Sequence, residues 1–168
     1  HYWLDPENAR VMTATILGGL ARLAPADHAV FTANRARFLE RLDAGLARWS
    51  RAMGPLAGLR VVVTHDSWPY FARRFGLVVV ATIEPSPGVP PSPQSLGALT
   101  TRMREGSVRL ILAEPWSDPS VIAQVAARSG ARAVILASSV GAEPEARDYV
   151  ALFDLNVRRL VAAATAPR

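Results

Sequence analysis

From Gly58 onward, short apolar runs alternate with segments whose apolar positions recur at helical spacing. The clearest run, Val61-Val62-Val63, is typical of a strand that is covered on both faces in a parallel sheet. The predicted elements are strand 60–64, helix 68–75, strand 77–83, helix 93–105, strand 108–113, helix 118–129, strand 131–136 and helix 145–164. This alternation predicts an α/β fold with a parallel four-stranded sheet flanked by helices and right-handed crossovers.

Helical spacing dominates the part of the chain before Gly58. Asp5 followed by Pro6 is typical of a helix start, and an apolar stripe then predicts a helix over residues 6–24. A second apolar stripe predicts a helix from a capping Asp27 to about residue 53. A helix of this length spans about 40 Å, which suits a spine or a connector between lobes.

Composition narrows the possible functions. The chain of 168 residues has 50% hydrophobic residues, enough for one good core. It lacks cysteine, which rules out disulfides and thiolate metal sites. All 19 basic residues are arginines scattered along the sequence, so the net charge of +5 forms no basic face for nucleic acid. No apolar run approaches the roughly 18 residues that a membrane span needs.

Polar residues follow three of the predicted strands at the point where each strand ends. His65 follows strand 60–64, Glu114 follows strand 108–113, and Ser138 follows strand 131–136. In open α/β sheets these carboxyl ends line the ligand crevice. Imidazole and carboxylate groups meeting there are suitable ligands for zinc or manganese. The alternatives are a buried His65 bonded to a backbone carbonyl and a Glu114 carboxylate that accepts N–H groups at a helix start.

Motifs of the common enzyme classes are missing from the sequence. No GxGxxG or GxxxxGK[ST] phosphate loop follows a strand, and there is no GxSxG nucleophile turn. No base can be assigned to Ser138-Ser139. The sequence therefore predicts a protein that is not an enzyme.

Residues 84–93, which hold five prolines, are predicted to form a short fixed surface loop.

Several segments together resemble one family, over essentially all of the chain. The matching segments, in order, are His1-Tyr2-Trp3-Leu4-Asp5-Pro6, Thr64-His65-Asp66-Ser67-Trp68 with Tyr70-Phe71, Ser86-Pro87-Gly88, Ala113-Glu114-Pro115, and Tyr149 with Asn156. They resemble the zinc/manganese-type metal-binding receptors, the solute-binding proteins that deliver ions to ABC importers. The first two segments are fairly specific when they occur together.

This resemblance implies a fold of two α/β lobes joined by one long, stiff helix. Residues 1–25 would be a remnant of the N-terminal lobe, residues 26–54 the connecting helix, and residues 55–168 the C-terminal lobe. The resemblance also implies an extracytoplasmic protein, periplasmic or lipid-anchored at the cell surface, with its signal segment outside this chain. Its partner would be the membrane permease of an ABC importer.

The resemblance also implies a metal site between the lobes, usually with four ligands. One is a histidine of the N-terminal lobe, which this chain lacks, and the next two match His1 and His65. Histidine at the latter place implies zinc as the ion, with manganese less favoured. The fourth ligand is ordinarily an aspartate, but here that place falls on Ser138 or Ala137. Glu114 matches a supporting glutamate that orients a histidine.

Two other hypotheses compete with the metal receptor, and the first of them uses the same scaffold. Because Ser138 is a poor ligand, the protein could be a degenerate member that has lost metal and docks a protein or another ligand. The other alternative is a metal-dependent hydrolase with His1 and His65 as ligands and Glu114 as base. In the receptor hypothesis, water or Glu114 could complete the metal shell in place of the aspartate. The metal receptor remains the leading hypothesis, because the sequence offers a hydrolase neither a third protein ligand nor a pocket signature.

Overall fold

One parallel sheet forms the centre of the fold. The computed structural model describes residues 1–84, 89 and 91–167. Within them, the strands are β1 (Arg60–Val63), β2 (Val78–Thr82), β3 (Leu110–Ala113) and β4 (Arg132–Ile135). They pair in parallel in the order β2-β1-β3-β4. The predicted four-stranded parallel sheet is confirmed.

The predicted helices are also found, with small differences at their ends. They are α1 (Asn8–Leu23), α2 (His28–Met53), α3 (Pro69–Phe75), α4 (Pro93–Glu105), α5 (Pro119–Ser129) and α6 (Tyr149–Thr165). α6 begins four residues later than predicted because the Asp148 side chain accepts the Ala151 N–H and so caps the helix there. Asp27 precedes α2 as predicted, but its side chain makes no capping hydrogen bond.

Side chains of the strands alternate between two apolar cores, one on each face of the sheet. Val61 and Val63 pack with α2, α3 and α6, whereas Val62 packs with α4 and α5. All three valines are buried. A strand that is covered on both faces has no polar side, which explains the unbroken apolar run in the sequence.

The long helix α2 is packed differently along its two halves. Its C-terminal half lies on α6, where Trp49 Nε1 donates to Asp154 Oδ1 at 2.7 Å. Its N-terminal half lies beside α1, where Arg35 Nη2 donates to the Arg10 carbonyl at 3.1 Å. The residues of α2 that are buried all lie in the C-terminal half: Leu42, Gly45, Leu46, Trp49 and Met53. The helix therefore extends from the sheet domain with only one end buried.

Gly45 leaves room for the ring of Trp49, which lies about one turn further along α2. A Cβ at this position would lie 2.6 Å from Cη2 of Trp49. The ring cannot easily move, because it is buried and held on two sides. Its centroid lies 4.9 Å from that of the Phe153 ring, and its Nε1 donates a hydrogen bond to Asp154. We expect Gly45→Ala to lower the free energy of unfolding by about 1–3 kcal/mol, the usual cost of overpacking, as measured by urea denaturation.

The matched control for this substitution is Gly54→Ala. Gly54 has a φ of −49°, and nothing lies within 4 Å of its Cβ position. This variant should unfold like the wild type. Equal denaturation midpoints for the two variants would contradict the steric role of Gly45.

The proline-rich segment remains largely outside this description. Residues 85–88 and 90 are not among the described residues, so the predicted fixed loop over residues 84–93 stays a prediction, and the Ser86-Pro87-Gly88 motif lies outside them.

In the described part of the chain, no helix combines the length and apolar character needed to cross a membrane.

Candidate metal site

Polar residues gather at the carboxyl end of the sheet because all strands run in the same direction. His65, Glu84, Glu114 and Ser138 follow β1, β2, β3 and β4, respectively. The backbone ladder continues past the strands: Glu84 N–H donates to the Thr64 carbonyl at 3.0 Å, and Thr64 N–H donates to the Leu112 carbonyl at 2.9 Å. These hydrogen bonds fix the strand ends relative to one another.

His65 faces a carboxylate that the sequence analysis did not identify. Its Nδ1 lies 3.4 Å from Glu84 Oε2, and the side chains of His65 and Glu84 are only 17% and 14% exposed. Glu84 was predicted to begin the proline-rich loop. It directly follows predicted strand 77–83, however, and so shares the strand-end position from which His65, Glu114 and Ser138 were identified.

Glu114 is buried and accepts several hydrogen bonds. Its carboxylate accepts from Thr64 Oγ1, from Trp68 Nε1 at 3.1 Å and from Ser117 Oγ at 3.1 Å. Its side chain is thus bonded to side-chain donors, not to N–H groups of the following helix. Because Thr64 and Trp68 lie on either side of His65 in the sequence, the Glu114 carboxylate holds the turn that presents the imidazole.

The segment that carries His1 is held against the loop after β4. Trp3 Nε1 donates to the Ser138 carbonyl at 2.8 Å, and the Tyr149 hydroxyl donates to the Trp3 carbonyl. The exposed His1 ring lies beside the Trp3 ring, with 5.0 Å between the ring centroids and an angle of 46° between the ring planes. Burial raises the pKa of the Tyr149 phenol above its ordinary value, and the Asp5 carboxylate raises it further. The phenol therefore remains a donor at neutral pH.

The loop that carries Ser138 is fixed from below by Asn156. The Asn156 side chain donates to the Ala137 carbonyl at 2.7 Å and accepts from the Ala137 N–H at 2.9 Å. Asn156 and Ser138 are both buried. Asn156 thus satisfies the peptide groups of a loop that the sheet no longer pairs.

The candidate residues form two neighbouring groups. His65, Glu84 and Glu114 lie at the ends of β1, β2 and β3, while His1 and Ser138 lie beside the end of β4. Since β3 separates β1 from β4, the strand ends are about 10 Å apart at about 4.8 Å per strand. Across residues 1–84, 89 and 91–167, no cluster of three or more His, Cys, Asp or Glu is arranged to hold a metal ion.

A groove lies at the other end of the sheet. It has a volume of about 810 Å³, and its lining includes Leu59, Arg109 and Ala131, which directly precede β1, β3 and β4. It is therefore separate from the carboxyl-end residues. Arg104 and Arg132 also line it and give it basic character.

Comparison with known proteins gives consistent matches along the chain. The family profile "Zinc-uptake complex component A periplasmic" matches residues 1–163. The high-affinity zinc uptake system protein ZnuA of Paracoccus denitrificans is 31% identical over 154 residues, which is 90% of this chain and 47% of that protein. The corresponding protein of Brucella abortus is 27% identical over 143 residues, 85% of this chain and 42% of that protein. The chain thus spans about half the length of these curated relatives.

Solved structures match over nearly the whole chain. A crystal structure of ZnuA superposes with a TM-score of 0.84 at 28% identity, covering 98% of this chain and 62% of that one. The solute-binding protein FpvC from Pseudomonas aeruginosa, solved with Mn²⁺, gives a TM-score of 0.81 at 25% identity, covering 97% and 62%. Fold and sequence together place the chain in the class of metal-binding solute-binding proteins of ABC importers. Within that class, the chain belongs to the ZnuA family of periplasmic zinc-uptake components.

Proposed function

We propose that this chain is part of an extracytoplasmic zinc receptor that delivers its ion to the permease of an ABC importer. The observation that carries the proposal is the position of His65. It follows a central strand of a ZnuA-type sheet, its turn is held by buried Glu114, and its ring is sheltered beside Glu84. A periplasmic or lipid-anchored location is part of the proposal.

The proposed site receives ligands from both sides of a cleft. His65 and His1 come from this chain, and a further histidine comes from an N-terminal lobe. The proposed division assigns residues 1–25 to that lobe, residues 26–54 to the connecting helix and residues 55–168 to the C-terminal lobe. Glu114 supports the His65 turn, and Ser138 lines the side of the cleft near His1.

An exposed apolar surface supports the presence of a second lobe. Val11, Ile16, Leu23 and Val30 on α1 and the start of α2 are between 56% and 84% exposed. Apolar surface of this kind commonly marks a contact with another unit. A lobe packed against α1 would cover this surface. The curated relatives are more than twice as long as the segment that matches this chain, which leaves enough sequence for such a lobe.

The mechanism is capture without covalent chemistry. Neutral imidazole nitrogens bind zinc at about 2.0–2.1 Å, so acid weakens binding by protonating them. The packed half of α2 limits wide hinge motion, and release therefore proceeds by movement of the loops at the strand ends. Hydrogen exchange that detects a large, zinc-dependent opening of residues 28–53 would contradict this mode of release.

Calorimetric titration of the chain together with its N-terminal lobe tests the function. We expect one zinc ion per molecule at neutral pH and weaker binding of manganese. Stimulation of the permease ATPase by the zinc-loaded receptor, and not by the zinc-free receptor, would support delivery.

A docking module without metal is the second candidate. The observation that favours it is Ser138, a buried hydroxyl at the place where the family resemblance implies an aspartate. Absence of zinc uptake at neutral pH by the two-lobe protein would favour this candidate over the receptor.

A further inference from the structure

We propose that Glu84 is a ligand of the zinc ion and coordinates it together with His65. This inference rests on the proposed function and adds to it the residue that supplies the anionic oxygen. Glu84 and His65 follow the adjacent parallel strands β2 and β1, so both side chains begin at the same edge of the sheet. Their facing atoms, Nδ1 of His65 and Oε2 of Glu84, are 3.4 Å apart.

The separation of these two atoms suits two ligands of one ion. With zinc–ligand bonds of about 2.0–2.2 Å and tetrahedral angles, two donor atoms lie about 3.3–3.5 Å from each other. An N–H···O hydrogen bond is normally shorter, about 2.7–3.2 Å. The observed 3.4 Å therefore matches the edge of a zinc tetrahedron better than a direct hydrogen bond.

The backbone holds Glu84 firmly at this place. Ile83 N–H donates to the Val63 carbonyl at 2.8 Å, and Glu84 N–H donates to the Thr64 carbonyl at 3.0 Å. Ile83 is buried in the core on the side of α4 and α5. The β1–β2 ladder thus extends to the site, and the carboxylate begins from a fixed point rather than from a free loop. A ligand positioned in this way loses little conformational entropy when it binds.

Glu114 and Ser138, the other predicted oxygen donors at this end of the sheet, are less suitable. The two carboxylate oxygens of Glu114 already accept from Thr64, Trp68 and Ser117. Ser138 offers a neutral hydroxyl, and its carbonyl accepts from Trp3. The Glu84 carboxylate lies against the candidate histidine. Neutral imidazoles leave the positive charge of Zn²⁺ uncompensated, and the negative charge of Glu84 would offset part of it.

Glu84→Gln in the receptor with both lobes tests this inference. Glutamine keeps the size of the side chain and can still accept a hydrogen bond from His65, but its amide is a much weaker zinc ligand. We expect zinc affinity to fall by on the order of 100-fold, as measured by competition with a chromophoric chelator. The control is Glu105→Gln, an exposed residue at the C-terminal end of α4, which should bind zinc like the wild type.

A second measurement separates coordination from an indirect role. In a crystal structure of the zinc-loaded wild type, a Glu84 oxygen should lie about 2.0–2.2 Å from the ion. Wild-type affinity in Glu84→Gln, or a Glu84 carboxylate that contacts only the His65 ring in the crystal, would overturn the assignment while leaving the receptor function in place. If the wild type with both lobes does not bind zinc, the Glu84 assignment and the receptor function are both wrong.

Discussion

We expect His65→Ala to weaken zinc binding by about 100- to 1,000-fold in the two-lobe protein. Structural zinc sites with four ligands bind with roughly 10–16 kcal/mol, which corresponds to about 2.5–4 kcal/mol for each ligand, and each 1.4 kcal/mol changes affinity tenfold. The imidazole of His65 is only 17% exposed and sits on a turn held by Glu114. Alanine removes the ligand and leaves that turn intact.

Competition with a chromophoric zinc chelator would measure this loss. The matched control is His28→Ala, because His28 is exposed on the first turn of α2 and far along the helix from the sheet. That variant should retain wild-type affinity. Equal affinities of His65→Ala and the wild type would refute the proposed site, even if the protein binds zinc elsewhere.

The spacing of apolar residues predicted most of the fold, because the signals for helices and strands depend on residues that are close together in the sequence. The unbroken valine run at residues 61–63 reflects a strand covered on both faces. The periodic stripe of α2 reflects an apolar face that is buried along the C-terminal half of the helix, where it packs on α6. The start of α6 was predicted less well, because several residues before the Asp148 cap also favour helix.

The site was predicted less completely because its contacts join distant parts of the chain. Trp3 and Ser138 are 135 residues apart, and no local pattern pairs them. The family resemblance, not periodicity, drew attention to His1. Glu84 was missed because the proline-rich composition after it favoured a loop, although its backbone continues the β1–β2 ladder. The strand-end argument works only when it is applied to every strand.

Asp5 makes a contact with a distant residue that stabilises the fold and that no local pattern predicts. Its sequence context, directly before Pro6, predicted that Asp5 caps a helix beginning at Pro6. Its Oδ1 does accept the Glu7 N–H at 3.1 Å, but this bond lies in the turn before α1, which begins at Asn8 without a side-chain cap. Its strongest partner lies 69 residues away: Arg74 Nε donates to Oδ1 at 2.6 Å. Asp5 is 4% exposed, so this ion pair is largely shielded from water. It joins the segment that carries His1 to α3, whose preceding turn carries His65.

We therefore expect Asp5→Asn to lower the free energy of unfolding by about 2 kcal/mol. Breaking a fully buried ion pair costs about 3–5 kcal/mol, but the Arg74 side chain is 31% exposed and water compensates for part of the loss. Urea denaturation of the zinc-free protein would measure the effect. Arg73→Ala is the control, because Arg73 is 70% exposed and lies 3.8 Å from Asp5, and it should cost less than about 0.5 kcal/mol.

The same substitution should also weaken zinc binding, by several-fold rather than by orders of magnitude. Asp5→Asn removes no proposed ligand, but it loosens one of the attachments that hold His1 near the cleft; Leu4, which is fully buried, and the Trp3–Ser138 hydrogen bond remain. Part of the binding free energy is then spent on ordering the segment. Reduced stability with unchanged zinc affinity would show that the anchoring of this segment serves the fold alone, and it would argue against His1 as a ligand.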